Sequence, residues 1–335
     1  MKVIAITPDR KYDYMVAIII EGLYDYGAEI IASDFGNGVR DEDVYHEADV
    51  IRHAADADYI FTFFGKVRDN RPPKFYLLDH INRPDITAYI DGSEWTYTGW
   101  TDVHDKVFCP VLNENTNRQA YEARRDYRRY RGQPWINDDI SKKVSWYFKR
   151  ECYKEDLENG IIPISFGAEK KCFVDHNLER DIDILISFGQ LHTGLRYEVT
   201  QESKRLMDTH GYNVKIISGV PFNEYQVLLS RSKIVVSSWG AGNNCMRMLE
   251  GLAAGACTFI QRPAVEFVDL PVDMHEAVLY SSMKEFTEKI HVVLGDLEKC
   301  GEIAKNGKAL AITKHTGIAR LNYMLDKMGN NQEIR

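Results

Sequence analysis

The sequence has no apolar run near the roughly 18 residues that a membrane-spanning helix needs. Its longest, Met15-Val16-Ala17-Ile18-Ile19-Ile20, stops at Glu21 and reads as the buried face of a helix. No Cys-x-x-Cys pair occurs: Cys109, Cys152, Cys172, Cys245, Cys257 and Cys300 are scattered. That excludes a disulfide framework and is expected of free thiols in a reducing cytoplasm. The ten histidines form no His-x-x-x-His metal spacing. The P-loop pattern G-x-x-x-x-G-K-[ST], a G-x-G-x-x-G after the first strand and a G-x-S-x-G nucleophile elbow are all missing. There is no excess of positive charge either. With 42 Lys and Arg against 50 Asp and Glu, the net charge is −8, so the molecule as a whole is not drawn to nucleic acid or anionic membrane. Met1 to Thr7 reads as a strand from the start and leaves no room for a signal peptide, so the expected location is cytoplasmic.

What is present is an alternation of strand-like and helix-like segments, which argues for an α/β fold with mostly parallel sheets. Strands are expected at Lys2–Thr7, Glu29–Ala32, Tyr59–Phe64, Ile86–Ile90 and Val144–Phe148. Helices are expected over Asp13–Tyr26, closed by Gly27, and over Val44–Ala55. A second series starts at Ile182–Phe188 and runs through a helix (Leu195–His210), a strand (Val214–Ile217), a helix (Glu224–Leu229), a strand (Ile234–Ser237), a helix (Cys245–Ala254) and a strand (Thr258–Gln261). Between the series lies the Pro-interrupted strand Ile161–Gly167 and a polar stretch. The expected organisation is therefore two Rossmann-like domains facing a cleft, 1–165 and 166–335, with the last helix crossing back. Ligands of such sheets bind at the carboxyl ends of strands.

One segment departs from the acidic average. From Arg118 to Arg131, six arginines and three tyrosines share a predicted helix with only Glu122 and Asp126. It reads either as a solvated helix with (i, i+4) ion pairs or as a grip for a phosphate-bearing acceptor or DNA.

The most informative stretch is Ser237-Ser238-Trp239-Gly240-Ala241-Gly242-Asn243-Asn244, running into Cys245-Met246-Arg247-Met248-Leu249-Glu250. It reads as strand, small-residue loop and helix. Gly240, Ala241 and Gly242 let backbone approach a ligand, and the following helix turns its first N–H groups toward the loop, which suits an anion. Arg247 and Glu250 share a helix face. A nucleoside diphosphate needs these parts: amides of Gly240 to Asn244 and a cation for phosphate, and a carboxylate for ribose hydroxyls. Gly189 to Arg196 forms a second small loop at a strand's carboxyl end; Arg196 reads either as a surface arginine in a first helical turn or as a cation with an anionic partner, with His192 a secondary candidate. In the first domain, Asp91, Ser93 and Glu94 follow a strand; they read either as a turn at Asp91-Gly92 with Ser93 as a helix cap or as a site whose carboxylates orient or deprotonate an acceptor hydroxyl. Lys149 and Arg150 either line the cleft or pair with Glu151 or Glu155. Asp181-Ile182-Asp183 has a metal-binding D-x-D pattern but precedes its strand, at the wrong end for a ligand, so no metal site is expected.

These residues resemble the nucleotide-sugar site of GT-B glycosyltransferases of the group 1 (family 4-like) type, in particular the CgeB-like, spore maturation protein-like branch, with its Gly-rich loop, R-x-x-E and Leu252-Ala253-Ala254-Gly255. Ala277-Val278-Leu279-Tyr280, Phe286 to Leu294, Ile303 to Gly307, Lys314-His315-Thr316 and Arg320 continue the resemblance, as do Tyr147 to Glu151 and Tyr89 to Glu94. In many group 1 enzymes two glutamates stand eight apart; here Glu250 takes the second position and Gly242 the first. The resemblance implies transfer of a sugar from a nucleotide donor, a UDP-sugar first among them, without metal or tightly bound cofactor and with retention. It implies Glu250 on the ribose, Arg196 and Arg247 at the diphosphate, and Asp91 or Glu94 on the acceptor side. The acceptor is then a glycan or small molecule, or a hydroxymethylated phage or viral DNA held by the Arg118–Arg131 helix. A non-catalytic sugar-nucleotide or glycan-binding protein of a spore or other surface, and a sugar-nucleotide epimerase, are the competing readings.

Overall fold

The computed structural model describes residues 1–8, 12–64, 74–92, 138–174, 176–189, 195–240 and 242–330. The first β-rich half builds a six-stranded parallel sheet in the order β2-β1-β3-β4-β5-β6. Its strands are β1 (Lys2–Ile6), β2 (Glu29–Ala32), β3 (Tyr59–Phe64), β4 (Thr87–Asp91), β5 (Trp146–Lys149) and β6 (Ile161–Pro163). Helices α1 (Tyr14–Tyr26), α2 (Glu47–His53), α3 (Tyr76–Ile81), α4 (Asp138–Ser141) and α5 (Lys154–Leu157) connect them. These strands are almost wholly apolar because helices cover both faces; β1 reads partly buried, then buried four times in succession.

The second sheet holds five parallel strands in the order β11-β10-β9-β7-β8. They are β7 (Ile182–Ser187), β8 (Val214–Ile217), β9 (Ser232–Ser237), β10 (Cys257–Gln261) and β11 (Val278–Tyr280). Between and after them lie α6 (Leu195–His210), α7 (Phe222–Ser230), α8 (Met246–Ala253), α9 (Met283–Gly295), α10 (Leu297–Lys314) and α11 (Gly317–Asn330). Register carries β7 between β9 and β8, with Leu185 opposite both Val235 and Lys215. The strand order steps outward in both directions from this point, which sets the carboxyl ends of β7 and β9 side by side at a switch point.

Local signals explain most of these boundaries. Asp13 caps α1 by accepting from the amides of Met15 (2.9 Å) and Val16 (3.2 Å), and Gly27 ends it with φ of 75°. Helix α1 is buried over Met15–Ile20 because it has two partners: the first sheet and α11, which returns from the far end of the chain. A Cβ on Gly22 would stand 2.3 Å from the carbonyl oxygen of Gly317, so the two backbones touch where both residues are glycine.

Differences from the sequence reading are small and local. The segment expected as one helix over Val44–Ala55 is α2 flanked by single 3-10 turns at Asp41–Asp43 and Ala54–Asp56. After β6 the chain makes one last ladder bond, from the Ile164 amide to the Lys149 carbonyl at 3.0 Å, and then leaves the sheet; Pro163 is tolerated because β6 is an edge strand. The Arg118–Arg131 helix lies outside the described residues.

A buried arginine ties the end of the chain to the linking segment. Arg320 is fully buried. It donates from Nε to the Phe166 carbonyl at 3.1 Å, from Nη1 to Asp269 at 3.1 Å and from Nη2 to the Val268 carbonyl at 3.3 Å, and Nη2 also meets Nδ1 of His315. Burial, with Arg320 alongside, holds the His315 imidazole far below its ordinary pKa and therefore neutral.

Candidate functional site

The carboxyl ends of β7 and β9 gather three aromatic and cationic side chains. Phe188, directly after β7, is buried. The Arg196 guanidinium lies 5.2 Å from its ring centroid and that of Arg247 lies 5.3 Å away. Two guanidiniums are thus held beside one ring, a concentration of positive charge that favours an anionic ligand. Arg196 reaches this place from the first turn of α6, and Arg247 from the first turn of α8. Arg196 is 9% exposed, and its Nη2 points at the Ser238 carbonyl at 3.5 Å. A Cβ on Gly240 would lie 2.6 Å from that nitrogen, so the glycine makes room for the cation. Trp239 anchors the loop: its amide donates to the Gln261 side chain (3.0 Å) and its Nε1 to the Gln261 carbonyl (3.2 Å).

Glu250 is three residues beyond Arg247 on the buried face of α8. Its Oε2 accepts from the Tyr225 hydroxyl at 3.1 Å. Burial raises its pKa, while Arg247 and the Tyr225 hydrogen bond oppose the rise. Burial also raises the pKa of Tyr14, at the start of α1, and the Glu250 charge adds to it, which places this carboxylate near the first domain as well. Of the expected residues, the structure brings Arg196 and Arg247 together at Phe188 and sets Arg247 close enough to Glu250 to oppose the rise in its pKa. Phe188, Tyr225 and Tyr14 were not anticipated; an aromatic residue directly after a core strand was the one signal for Phe188.

The loop amides are a correction. They were expected to face the ligand, but in this structure those of Gly240, Asn243 and Asn244 donate to acceptors within the protein. The Gly240 amide donates to the Gly242 carbonyl at 3.1 Å. The amides of Asn243 and Asn244 donate to the carboxylate of Glu151, from just beyond β5, at 2.9 and 3.1 Å, and the Asn243 side chain adds a bond of 3.0 Å. Asn243 Oδ1 in turn accepts from the Ala264 amide at 3.0 Å. Gly242 has no side chain at the spot where Glu151 arrives: a Cβ there would lie 2.5 Å from Oε1. The charged triplet Lys149-Arg150-Glu151, fully or almost fully buried after an aromatic strand, was the available signal for this bridge.

Asp91 also differs from expectation. It ends β4 as foreseen, but it is fully buried and pairs at 3.0 Å with the equally buried Lys149, rather than presenting its carboxylate to an acceptor. Strand register explains this, since Asp91 and Lys149 are opposite each other on β4 and β5. Gly189 is exposed and a Cβ there would meet nothing within 4 Å, so no close approach demands glycine at that position. Glu94, His192, Ala241, Ser93 and the Arg118–Arg131 segment fall outside the described residues. The first sheet does offer a cleft of about 530 Å³ at the carboxyl end of β2, lined by Ser33, Asp34, Phe35, His46, Glu47 and Lys74 among others.

The D-x-D carboxylates are engaged by protein cations. Arg231 grips Asp181 through Nε (2.8 Å) and Nη2 (2.5 Å), and Lys233 meets Asp183 at 2.6 Å. Among the described residues no cluster of three or more His, Cys, Asp or Glu side chains is placed to hold a metal ion. No helix among them is long and apolar enough to cross a membrane.

Residues 185–326 match the family model described as "Glycosyl transferase-like". No curated protein matches the sequence. Among solved structures, HepE from Anabaena in complex with UDP and glucose superposes with a TM-score of 0.55 at 11% identity, over 98% of this chain and all of the other. Sucrose-phosphate synthase from Thermosynechococcus elongatus gives 0.53 at 11% identity over the whole of both chains. An α-glucosyltransferase in complex with UDP-glucose and DNA containing an abasic site gives 0.55 at 9% identity over 98% of each. The fold they share with this chain, two parallel-sheet α/β domains, is GT-B.

Proposed function

We propose that this chain, of which residues 185–326 match a glycosyl transferase-like model and whose fold is GT-B, transfers a sugar from a UDP-sugar to an acceptor hydroxyl, with retention. We assign residues 1–165 to the acceptor side and 166–335 to the donor side. The observation that carries the reading is the pair of guanidiniums, Arg196 and Arg247, flanking Phe188 one helical turn from Glu250. Two fixed cations stabilise a departing nucleoside diphosphate as its charge develops, the task that a metal ion performs in other enzymes. Glu250, held by Tyr225, takes the ribose hydroxyls. Complexes of HepE with UDP and UDP-glucose support uracil as the base. Glu94, three residues beyond β4 in sequence, remains the proposed acceptor-side carboxylate; Asp91, paired with Lys149, acts instead as a support for that end of the sheet.

DNA as acceptor is the second reading. It is favoured by the arginine-rich segment and by the DNA-bound α-glucosyltransferase of like fold.

The test is release of UDP from UDP-hexoses in EDTA, alone and with glycan, small-molecule and hydroxymethylated-DNA acceptors. The expected result is EDTA-resistant release, stimulated by one acceptor class, with the product anomer unchanged by NMR and activity lowered at least tenfold in Glu250→Ala. Binding of nucleotide without release, even to water, favours the non-catalytic reading.

A further inference from the structure

We propose that the amides of Asn243 and Asn244 line an anion pocket in which Glu151 is a built-in stand-in for phosphate, and that a phosphate of the bound donor takes the pocket as Glu151 swings out. The inference rests on the donor-site reading and adds to it a gate contributed by the other sheet.

The pocket holds more hydrogen-bond donors than its occupant uses. Glu151 accepts three bonds, from the two amides and from Asn243 Nδ2. Around it stand donors with no partner among the described residues: Nε and Nη2 of Arg150, and the side-chain amide of Asn244. Arg150 is 2% exposed and Asn244 3% exposed. The Arg150 Nε is 3.4 Å from the Glu151 carboxylate, an ion pair without hydrogen-bond alignment, and its guanidinium lies 4.4 Å from the Phe166 ring centroid. A buried guanidinium with unused N–H groups is costly, and such groups in native proteins ordinarily have a partner. A phosphate offers more acceptor oxygens than a carboxylate and engages Arg in a forked geometry. The pocket also opens where α8 begins, whose dipole favours an anion.

Position supports exchange rather than a fixed bridge. Gly240 and Gly242 sit two residues apart in one loop; the first abuts the Arg196 guanidinium and the second abuts Arg150 and Glu151. A diphosphate spans two such charged sites, one phosphate beside Arg196 and the other at the Asn243–Asn244 amides. While Glu151 fills the second site, donor binding must displace it, and the apparent affinity is reduced by the fraction of molecules in which it is displaced. Displacement also breaks a direct tie between the two sheets, so donor entry and cleft opening are linked.

The experiment is calorimetric titration of inorganic pyrophosphate and of UDP into the full chain and into Glu151→Gln, which keeps the shape and removes the charge. Both ligands are expected to bind about tenfold more tightly to the variant. Equal or weaker binding by a folded Glu151→Gln overturns the proposal and makes Glu151 a permanent bridge. Should that variant fail to fold, Glu151→Asp, which withdraws the carboxylate by one methylene, carries the same expectation. UDP binding that is lost in Glu250→Ala but indifferent to Glu151 leaves the donor site standing and sinks only the gate. Tighter pyrophosphate binding with UDP bound by neither form upholds the pocket and sinks the donor-site reading.

Discussion

Arg196→Ala is expected to lower kcat/KM for sugar transfer by about 10²–10³, with most of the loss in kcat and a smaller change in affinity for the intact donor. The asymmetry follows from when the charge appears. On the proposed reading, the diphosphate charge in the ground state is shared by Arg196, Arg247 and the start of α8. As the sugar–phosphate bond breaks, one further negative charge develops on the leaving oxygen, and a guanidinium fixed in a buried site stabilises that charge without reorganising. Arg196 is fixed in this sense: Phe188 lies beside it, the Ser238 carbonyl lies at Nη2, and Gly240 leaves it the space. Arg196→Lys should recover only part of the activity, because an ammonium group cannot reproduce the forked guanidinium geometry that engages two phosphate oxygens. Steady-state kinetics on the two variants, with melting curves to confirm folding, is the check. Equal loss in kcat and in donor affinity, or no loss, would remove Arg196 from the leaving-group site.

The second large effect concerns stability. Arg320→Met should destabilise the protein by about 3–5 kcal/mol, because removing one partner of a buried charge network leaves the others unsatisfied. Methionine restores much of the volume but none of the donors. The carbonyls of Phe166 and Val268 then lose their bonds, and Asp269 loses its cation. All three lie on segments that meet between the two sheets, so the loss should appear as weakened docking of α11 as well as a lower urea midpoint. Hydrogen exchange in α1 should rise in the variant, since α11 covers that helix through the Gly22–Gly317 contact. A loss below about 1 kcal/mol would show that surface packing alone holds the end of the chain in place.

Much of the architecture was legible because its signals are local. The runs at Glu29–Ala32, Tyr59–Phe64 and Val214–Ile217 are bounded by polar or turn residues and form strands with the expected limits. Asp13 and Gly27 bracket α1 by capping chemistry that depends on a few neighbouring residues. Arg247 and Glu250 were legible for the same reason, as they share one helix face.

The parts that were not legible depend on contacts between distant segments. Glu151 and Asn243 are 92 residues apart in sequence, and no spacing rule links them. Asp91 looked like an acceptor-side carboxylate because position alone put it at a strand's carboxyl end; its pairing with Lys149 depends on the β4–β5 register. The loop amides were rightly seen as donors, but a sequence does not show which anion they hold.

The central claim is a uridine nucleotide site built on Arg196, Arg247 and Glu250. Its most direct test is a thermal-shift comparison of UDP, GDP, ADP and CDP on the wild-type chain and on Glu250→Ala. At about 100 times its dissociation constant a ligand adds about 2.7 kcal/mol of stability. The account predicts that UDP stabilises the wild type more than the other three and that the effect is lost in Glu250→Ala. Stabilisation by none of the four, or an undiminished UDP effect in the variant, would contradict it.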